Sequence, residues 1–195
     1  MAKEVIKIMV SSAVYGYESE IQQICSIINS YKSNKYRYKV LNSHIGSIPS
    51  IPGLSPMDSC LRAVDDCDYF FGIILPRYGS GITHKEFNRA VKLDKPRGYL
   101  SHYTVVIAKY LLAQYMYLDI KTKKKNPNFI FKKTPIFEDT KIIDMYNEAI
   151  GDGKPIDKRL WAQEFGHKSG DALIFVEALF GDIDRFKKDL DKIKQ

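Results

Sequence analysis

The apolar stretch DYFFGIILP, residues 68–76, decides the fold that the sequence predicts. After Asp68 it contains no charged residue. A continuous apolar run of this length is typical of a central strand in a parallel sheet, because helices cover such a sheet on both faces. The sequence on either side of it should therefore alternate between strands and helices.

The first half of the chain shows this alternation. Strands are predicted at 4–10 and 36–42 and after residue 95, and helices at 18–31 and 55–67 and from about residue 83. The second of these helices has a clear start, with Ser55 as N-cap and Pro56 in the first position. Residues 1–101 thus predict an α/β core, a flavodoxin-like parallel sheet with helices on both faces.

The second half contains few strand patterns, so residues 102–195 are predicted to be a helical extension packed on the same domain. Helices are predicted at 103–118, 139–150 and 171–193. The segment KTKKKNPNFIFKK, residues 121–133, contains six lysines and is expected to be a solvated loop. Trp161, the single tryptophan, is expected in the core.

Composition excludes several classes of protein. Three cysteines without a CxxC pair favour neither a disulfide framework nor a zinc site, and the scattered histidines indicate no metal site. The longest apolar stretch is interrupted by Lys109 and Gln114, so no membrane span is expected. The N-terminal residues lack a secretory signal pattern, which predicts a cytoplasmic protein.

The net charge of +7 and the pI of about 9.1 suit an anionic partner. The positive excess is spread along the chain and does not form one basic block. It therefore suits phosphates and small anions as well as nucleic acid, and a nucleic-acid partner is not expected.

The motif RYGSGITHKEFNRA, residues 77–90, reads as a strand end, a glycine turn and a helix start. It leaves two interpretations of Glu86 open. In the first, Thr83 and Glu86 form a capping box and the glutamate is structural. In the second, Glu86 is a catalytic carboxylate, placed to stabilise or attack the sugar carbon of an N-glycosidic bond.

Ligands of parallel sheets bind outside the carboxyl ends of the strands. The residues predicted to converge there, with Glu86 as catalytic group and the others binding substrate, are Ser11, Ser12, Tyr15, Tyr78, Gly79, Ser80 and Glu86. The serines can bind ribose or phosphate, or simply end a strand, and Tyr78 can stack on a base. The backbone N–H groups of the turn can hold phosphate or ribose oxygens.

Four further polar residues have weaker signals. His102 follows a predicted strand and is a candidate for the pocket edge, whereas His84 is expected to face solvent. Asp66 and Asp68 either orient a ribose hydroxyl or belong to a solvated turn before the central strand.

These motifs resemble those of the TIR-like and nucleoside 2-deoxyribosyltransferase-like group of bacterial proteins. The resemblance covers the first half of the chain. It consists of Ser11-Ser12 at a strand end, an acidic turn at Asp66 and Asp68, Tyr78-Gly79-Ser80, and Glu86 on the following helix. Position 13 is Ala, where the pattern of the group has Thr.

The resemblance implies that Glu86 acts on an N-glycosidic bond. In the TIR-like case the bond is the nicotinamide–ribose bond of NAD, which is then a substrate and not a bound cofactor. The implied role is antiviral defence, through an ADP-ribose-type signal sensed by a separate effector protein, with self-association of the enzyme. A nucleoside deoxyribosyltransferase or nucleotide N-glycosidase is one alternative, and a non-catalytic interaction module is another.

Overall fold

A computed structural model describes residues 3–166 and 169–193 of the chain. The strands are β1 (Glu4–Ser12), β2 (Tyr36–Leu41), β3 (Tyr69–Ile74), β4 (Arg97–His102), β5 (Tyr117–Asp119), β6 (Lys124–Lys125) and β7 (Ala162–Phe165). Five of them form a parallel sheet in the order β2-β1-β3-β4-β7, while β5 and β6 form a small antiparallel hairpin.

Helices cover both faces of the sheet. They are α1 (Glu18–Ser30), α2 (Pro56–Asp66), α3 (Ile82–Lys92), α4 (Tyr103–Met116), α5 (Lys141–Ile150), α6 (Ser169–Phe180) and α7 (Ile183–Ile193). The first and the last two pack in one hydrophobic cluster, and α2 to α5 contribute to the other. The predicted α/β fold, a flavodoxin-like parallel sheet with C-terminal helices, is thereby confirmed.

Strand β3 is the centre of the sheet, and all six of its residues are buried. Phe70 and Ile74 belong to the cluster under α2 to α5, whereas Phe71 and Ile73 belong to the cluster under α1, α6 and α7. Burial on both faces explains why this strand is a continuous apolar run instead of an alternating one.

Gly72 in β3 sets how closely α3 approaches the sheet. A Cβ atom at this position would lie 2.4 Å from the Phe87 ring and 2.8 Å from the Tyr99 ring. Since real Cβ atoms do not approach other atoms this closely, only glycine allows the Phe87 ring of α3 to lie directly on the strand. Helix α3 also carries Glu86, so this contact fixes the depth at which the glutamate sits.

The second half departs from the prediction in four places, the last of them in the lysine-rich segment. Residues 162–165 form β7, a strand that the sequence patterns did not reveal and that pairs with β4. The single helix predicted at 171–193 is two helices, because α7 starts anew where the Asp182 side chain accepts the Arg185 N–H at 2.9 Å. Trp161 is 75% exposed, so its predicted place in the core is wrong.

Within the lysine-rich segment, Lys124–Lys125 form β6, which pairs with β5 in an antiparallel hairpin, whereas the prediction was a loop throughout. Within the two described ranges, no helix is long and apolar enough to cross a membrane.

Candidate active site

A pocket of about 230 Å³ lies at the carboxyl ends of β1 and β3. The structure brings together in it the predicted residues Ser11, Ser12, Tyr15, Tyr78, Gly79, Ser80 and Glu86. It adds four polar residues that were not predicted to line it, Asn42, Ser43, Cys60 and Thr83. The pocket is therefore built by β1, the loop after β2, helix α2 and the glycine turn that leads into α3.

The glycine turn gives α3 its direction. Gly79 and Gly81 both have left-handed backbone angles, with φ of 59° and 78°. This region is costly for residues with a Cβ atom, which explains the two glycines. Gly81 is the N-cap of α3 and the helix begins at Ile82, so Thr83 already lies inside the helix. The predicted capping box is therefore wrong, and Glu86 does not cap the helix.

Glu86 lies at the bottom of the pocket with 4% of its surface exposed. The Ser11 hydroxyl, at the end of β1, donates a hydrogen bond to its Oε2 atom. The Cys60 thiol, on α2, donates a second hydrogen bond to the carboxylate. Three separate elements thus meet at one carboxyl group.

Burial raises the pKa of Glu86, and the hydrogen bonds from Ser11 and Cys60 offset part of this rise. Burial and the neighbouring carboxylate raise the pKa of Cys60 to about 12, so this thiol keeps its proton and remains a donor. Among the described residues that line the pocket there is no lysine, arginine or histidine. The charge of Glu86 is therefore balanced by neutral donors only.

A buried carboxylate without a cation costs folding free energy, because hydrogen bonds from neutral groups replace only part of its hydration. Core packing alone does not favour such a group. Perturbed carboxyl groups at the bottom of a cleft are concentrated at functional sites. Glu86 is therefore a candidate functional residue, because neither helix capping nor core packing accounts for its position.

A second glutamate holds the turn above the pocket. The Glu138 carboxylate accepts the backbone N–H groups of Tyr78 at 2.6 Å and Gly79 at 3.1 Å. The backbone hydrogen bond from Gly79 and the side-chain hydrogen bond from Lys133 lower its pKa to about 2. No motif pointed to Glu138, since it lies about 60 residues from the turn in sequence and only the fold joins them.

Tyr78 is also oriented by its hydroxyl group. The Tyr78 hydroxyl lies 2.9 Å from His84 Nδ1, and His84 Nε2 lies 2.7 Å from Glu148 on α5. The side chain of His84 is only 15% exposed, so the expectation of a solvent-facing histidine is wrong. This chain of contacts links the turn to α3 and α5.

Two predicted substrate-binding residues lie away from the pocket. Asp68 is at the amino end of β3, where its carboxylate accepts the Lys7 N–H at 2.9 Å. His102 ends β4, is 1% exposed, and caps α4 by accepting the Thr104 N–H at 3.3 Å. Its ring packs against Phe165, with 5.4 Å between the centroids.

Asn42 follows β2 at the same edge of the sheet as Ser11. The rule that ligands bind at the carboxyl ends of parallel strands therefore also applies to Asn42. The Asn42 amide donates to the Val10 carbonyl at 2.8 Å, and its side-chain oxygen accepts the Ile45 N–H at 3.2 Å. Asn42 thus ties the loop after β2 to β1 and shapes the pocket wall.

The chain matches the model of one protein family and has a low similarity to a solved structure. No curated protein matches the chain. Among solved structures, the chain is similar to the flavoenzyme NAD(P)H:(acceptor) oxidoreductase FerB from Paracoccus denitrificans. The TM-score is 0.35 and the sequence identity 14%, over 98% of this chain and 97% of that chain. A likeness of this degree has no bearing on activity.

The family model described as "domain of unknown function (DUF4062)" matches residues 7–160. The match begins in β1 and ends just before β7, so it includes every element that builds the pocket. The chain therefore belongs to the DUF4062 family.

Proposed function

We propose that the chain is an enzyme that cleaves the N-glycosidic bond between nicotinamide and ribose in NAD. The observation that supports this proposal is the buried Glu86 carboxylate, held by neutral donors in a pocket lined by no cationic side chain among the described residues. Such a group is complementary to a positive charge, which the reaction develops on the sugar.

In the proposed step the bond between C1′ of the ribose and the nicotinamide nitrogen breaks. The electron pair leaves with nicotinamide, which departs as a neutral molecule. The positive charge that remains on the ribose faces the Glu86 carboxylate. A water oxygen then bonds to C1′ and its proton is released to solvent, which gives ADP-ribose.

The absence of a second carboxyl group among the described residues that line the pocket suits this leaving group. Glycosidases whose leaving group needs a proton use a pair of carboxyl groups, one of them as general acid. Nicotinamide carries its positive charge before the bond breaks, so no proton donor is required. One carboxylate is then sufficient.

The volume of the pocket fits half of the substrate. Pockets for drug-sized ligands span about 300–1,000 Å³, and this pocket has about 230 Å³. The nicotinamide and its ribose would enter it, and the rest of NAD would lie along the rim. There Tyr15 is 65% exposed, and the first turn of α3 offers backbone N–H groups to a phosphate.

The same small volume favours a nucleoside as the second candidate substrate. In that case the chain would be a nucleoside deoxyribosyltransferase or nucleotide N-glycosidase, with Glu86 as nucleophile. The two candidates differ in what they consume, which a single experiment can separate.

On the resemblance to TIR-like proteins, we also propose a role in antiviral defence in the cytoplasm, with an ADP-ribose-type product sensed by a separate effector. Self-association is part of this proposal. It is supported by exposed apolar side chains at helical spacing on α4, which are Ile107, Leu111 and Tyr115, and by the exposed Leu118 in β5.

The proposal is tested by incubating the purified protein with NAD and following the products by mass spectrometry. Glu86→Gln keeps the size of the side chain and removes its charge. We expect it to slow the loss of NAD by at least about 100-fold, the usual cost of losing a group that stabilises transition-state charge. The matched control is Glu177→Gln, an exposed glutamate on α6, which should retain the wild-type rate.

Base exchange between nucleosides, with NAD untouched, would replace the first candidate by the second. If the wild-type protein consumes neither substrate while Glu86→Gln keeps its biological activity, the chain is an interaction module. Circular dichroism of each variant shows that a lost activity is not a lost fold.

A further inference from the structure

A second concave region lies on the same side of the sheet, between α4, α5 and the β5–β6 hairpin. It consists of two adjoining cavities of about 570 and 530 Å³. The residues that line both of them are Tyr117, Lys123, Asn147, Asp152 and Gly153. We call this region the basic trough.

Cations outnumber anions in the basic trough. The cationic residues that line it are Lys109, Lys121, Lys123, Lys125, Lys154 and Arg159, and the acidic ones are Asp144, Glu148 and Asp152. Of the three carboxylates, Glu148 is bonded to His84 and Asp144 to Lys125. An excess of positive charge is left around Asp152.

Three cations converge on the Asp152 carboxylate. It lies 3.2 Å from Lys109 Nζ, 2.9 Å from Lys123 Nζ and 3.6 Å from the Arg159 guanidinium. One carboxylate does not balance the charge of three cations. The side chains of Lys109 and Lys123 are only 18% and 28% exposed, so water solvates their remaining charge poorly. A bound anion would supply the missing countercharge.

One wall of the basic trough is apolar and exposed. Tyr110 is 72% and Ile120 57% exposed, and Lys109 Nζ lies 5.7 Å from the centre of the Tyr110 ring. A flat aromatic ring can stack on such a tyrosine while its charged substituent reaches the lysine. The apolar wall therefore favours an anion that carries an aromatic ring over a bare anion.

Asn147 provides a further polar atom for a ligand. Its side chain lines both cavities and is 7% exposed, and its Oδ1 atom has no hydrogen-bond partner among the described residues. A buried acceptor without a donor is rare in folded proteins and calls for a partner. A water that bridges Oδ1 and the ligand is a suitable donor.

We propose that the basic trough binds a nucleoside di- or triphosphate. The phosphates would lie among Lys109, Lys123 and Arg159, and the base on Tyr110. The volumes of 530 and 570 Å³ are within the range of about 300–1,000 Å³ for such ligands. This site lies outside the Glu86 pocket and does not depend on the proposed activity there.

The test is calorimetric titration of the full chain with ATP, with inorganic tripolyphosphate and with a ten-residue oligothymidylate, at about 150 mM salt. We expect ATP to bind once per chain and more tightly than tripolyphosphate. Arg159→Ala and Tyr110→Ala, both of exposed residues, should each weaken ATP binding about tenfold. The control is Lys188→Ala on α7, on the opposite face of the sheet, which should change it less than twofold.

Several results would overturn the proposal. The absence of binding heat at millimolar ATP would exclude the site. Equal affinity for tripolyphosphate, with Tyr110→Ala unchanged, would show that the trough holds anions without recognising a base. Saturation by the oligonucleotide but not by ATP would make it a polynucleotide surface. An equal loss in Lys188→Ala would show non-specific attraction to a protein of net charge +7.

Discussion

Glu86 lies at the bottom of the pocket, whereas Glu138 lies outside its lining and holds the turn of Tyr78 and Gly79, and the surroundings of the two carboxylates differ. Glu86 is buried, with hydrogen bonds from a serine hydroxyl and a cysteine thiol, and its pKa is raised. Glu138 accepts two backbone N–H groups and a lysine, and its pKa is lowered to about 2. The carboxylate in the pocket and the carboxylate that supports its turn therefore have opposite pKa shifts.

Under the proposed function, this difference separates a structural carboxylate, Glu138, from a catalytic one, Glu86. The donors around Glu138 prefer its charged form, so its charge stabilises the turn that they belong to. The surroundings of Glu86 satisfy its charge only in part, so the charge remains available to a cationic ligand or transition state. In the proposed enzyme, Glu138 holds the turn in place and Glu86 acts on the substrate.

Activity is expected to separate the two glutamates most strongly. Glu138→Gln should lower kcat/KM for NAD by about tenfold, against the loss of at least about 100-fold for Glu86→Gln, because Glu138 acts through the position of Tyr78 and Gly79. The fall should be mainly a rise in KM, since a displaced turn weakens binding in ground and transition states alike. Steady-state kinetics of both variants measures this.

Equal losses of kcat in the two variants would contradict the distinction, since both carboxylates would then act in the chemical step. Lys133→Met serves as the matched control. It removes the cation beside Glu138 and leaves the two backbone hydrogen bonds in place, so its KM should lie between wild type and Glu138→Gln.

The two substitutions should also differ in their effect on stability, and Glu138→Gln should have the larger effect. Hydrogen bonds to a charged group contribute about 1.5–3 kcal/mol, so Glu138→Gln should lower the free energy of unfolding by about 2 kcal/mol. For a chain of this size the melting temperature should fall by about 4–8 °C. Because the folded pKa of about 2 lies below the ordinary value, this contribution is present at neutral pH. It is lost as the pH falls from about 4 to 2.

Thermal unfolding between pH 2 and pH 7 tests whether the stabilising contribution of Glu138 is lost as the pH falls. The difference between wild type and Glu138→Gln should shrink toward zero at the acid end. A difference that stays constant over this range would mean that packing, and not the ionised carboxylate, holds the turn.

Local patterns were sufficient to predict the part of the site that follows strand ends. The buried run at β3 and the capped start of α2 indicated that strands and helices alternate, which predicts a parallel sheet. In the structure Ser11, Tyr78 and Glu86 lie at one edge of that sheet. This works because parallel strands end together, so one rule locates residues that are far apart in sequence.

The rest depended on contacts that no local pattern encodes. Glu138 reaches the turn across about 60 residues, and His84 is covered only because α5 brings Glu148 to it. The strand β7 has the burial of an edge strand, with Ala162 and Phe165 buried at its two ends and Glu164 exposed, so it lacks a strict alternation. The capping box failed because Gly81, with its positive φ, starts the helix two residues earlier.

The smallest expected effect is the stability of Glu86→Gln, and its sign is opposite to that of Glu138→Gln. The raised pKa means that the folded state favours the protonated carboxyl group. Its contribution to stability is complete below the ordinary glutamate pKa and is lost as the pH rises through the folded value. Above the ordinary glutamate pKa the wild-type chain therefore loses stability relative to a variant that does not titrate, such as Glu86→Gln.

We expect Glu86→Gln to be more stable than wild type by about 1 kcal/mol above neutral pH, a rise of about 2–4 °C in melting temperature. The gain should disappear near pH 4, where the wild-type side chain is also neutral. Thermal unfolding at the two pH values, with Glu177→Gln as control, measures both. A variant that is less stable at every pH would show that Glu86 stabilises the fold, and the distinction between the two glutamates would fail.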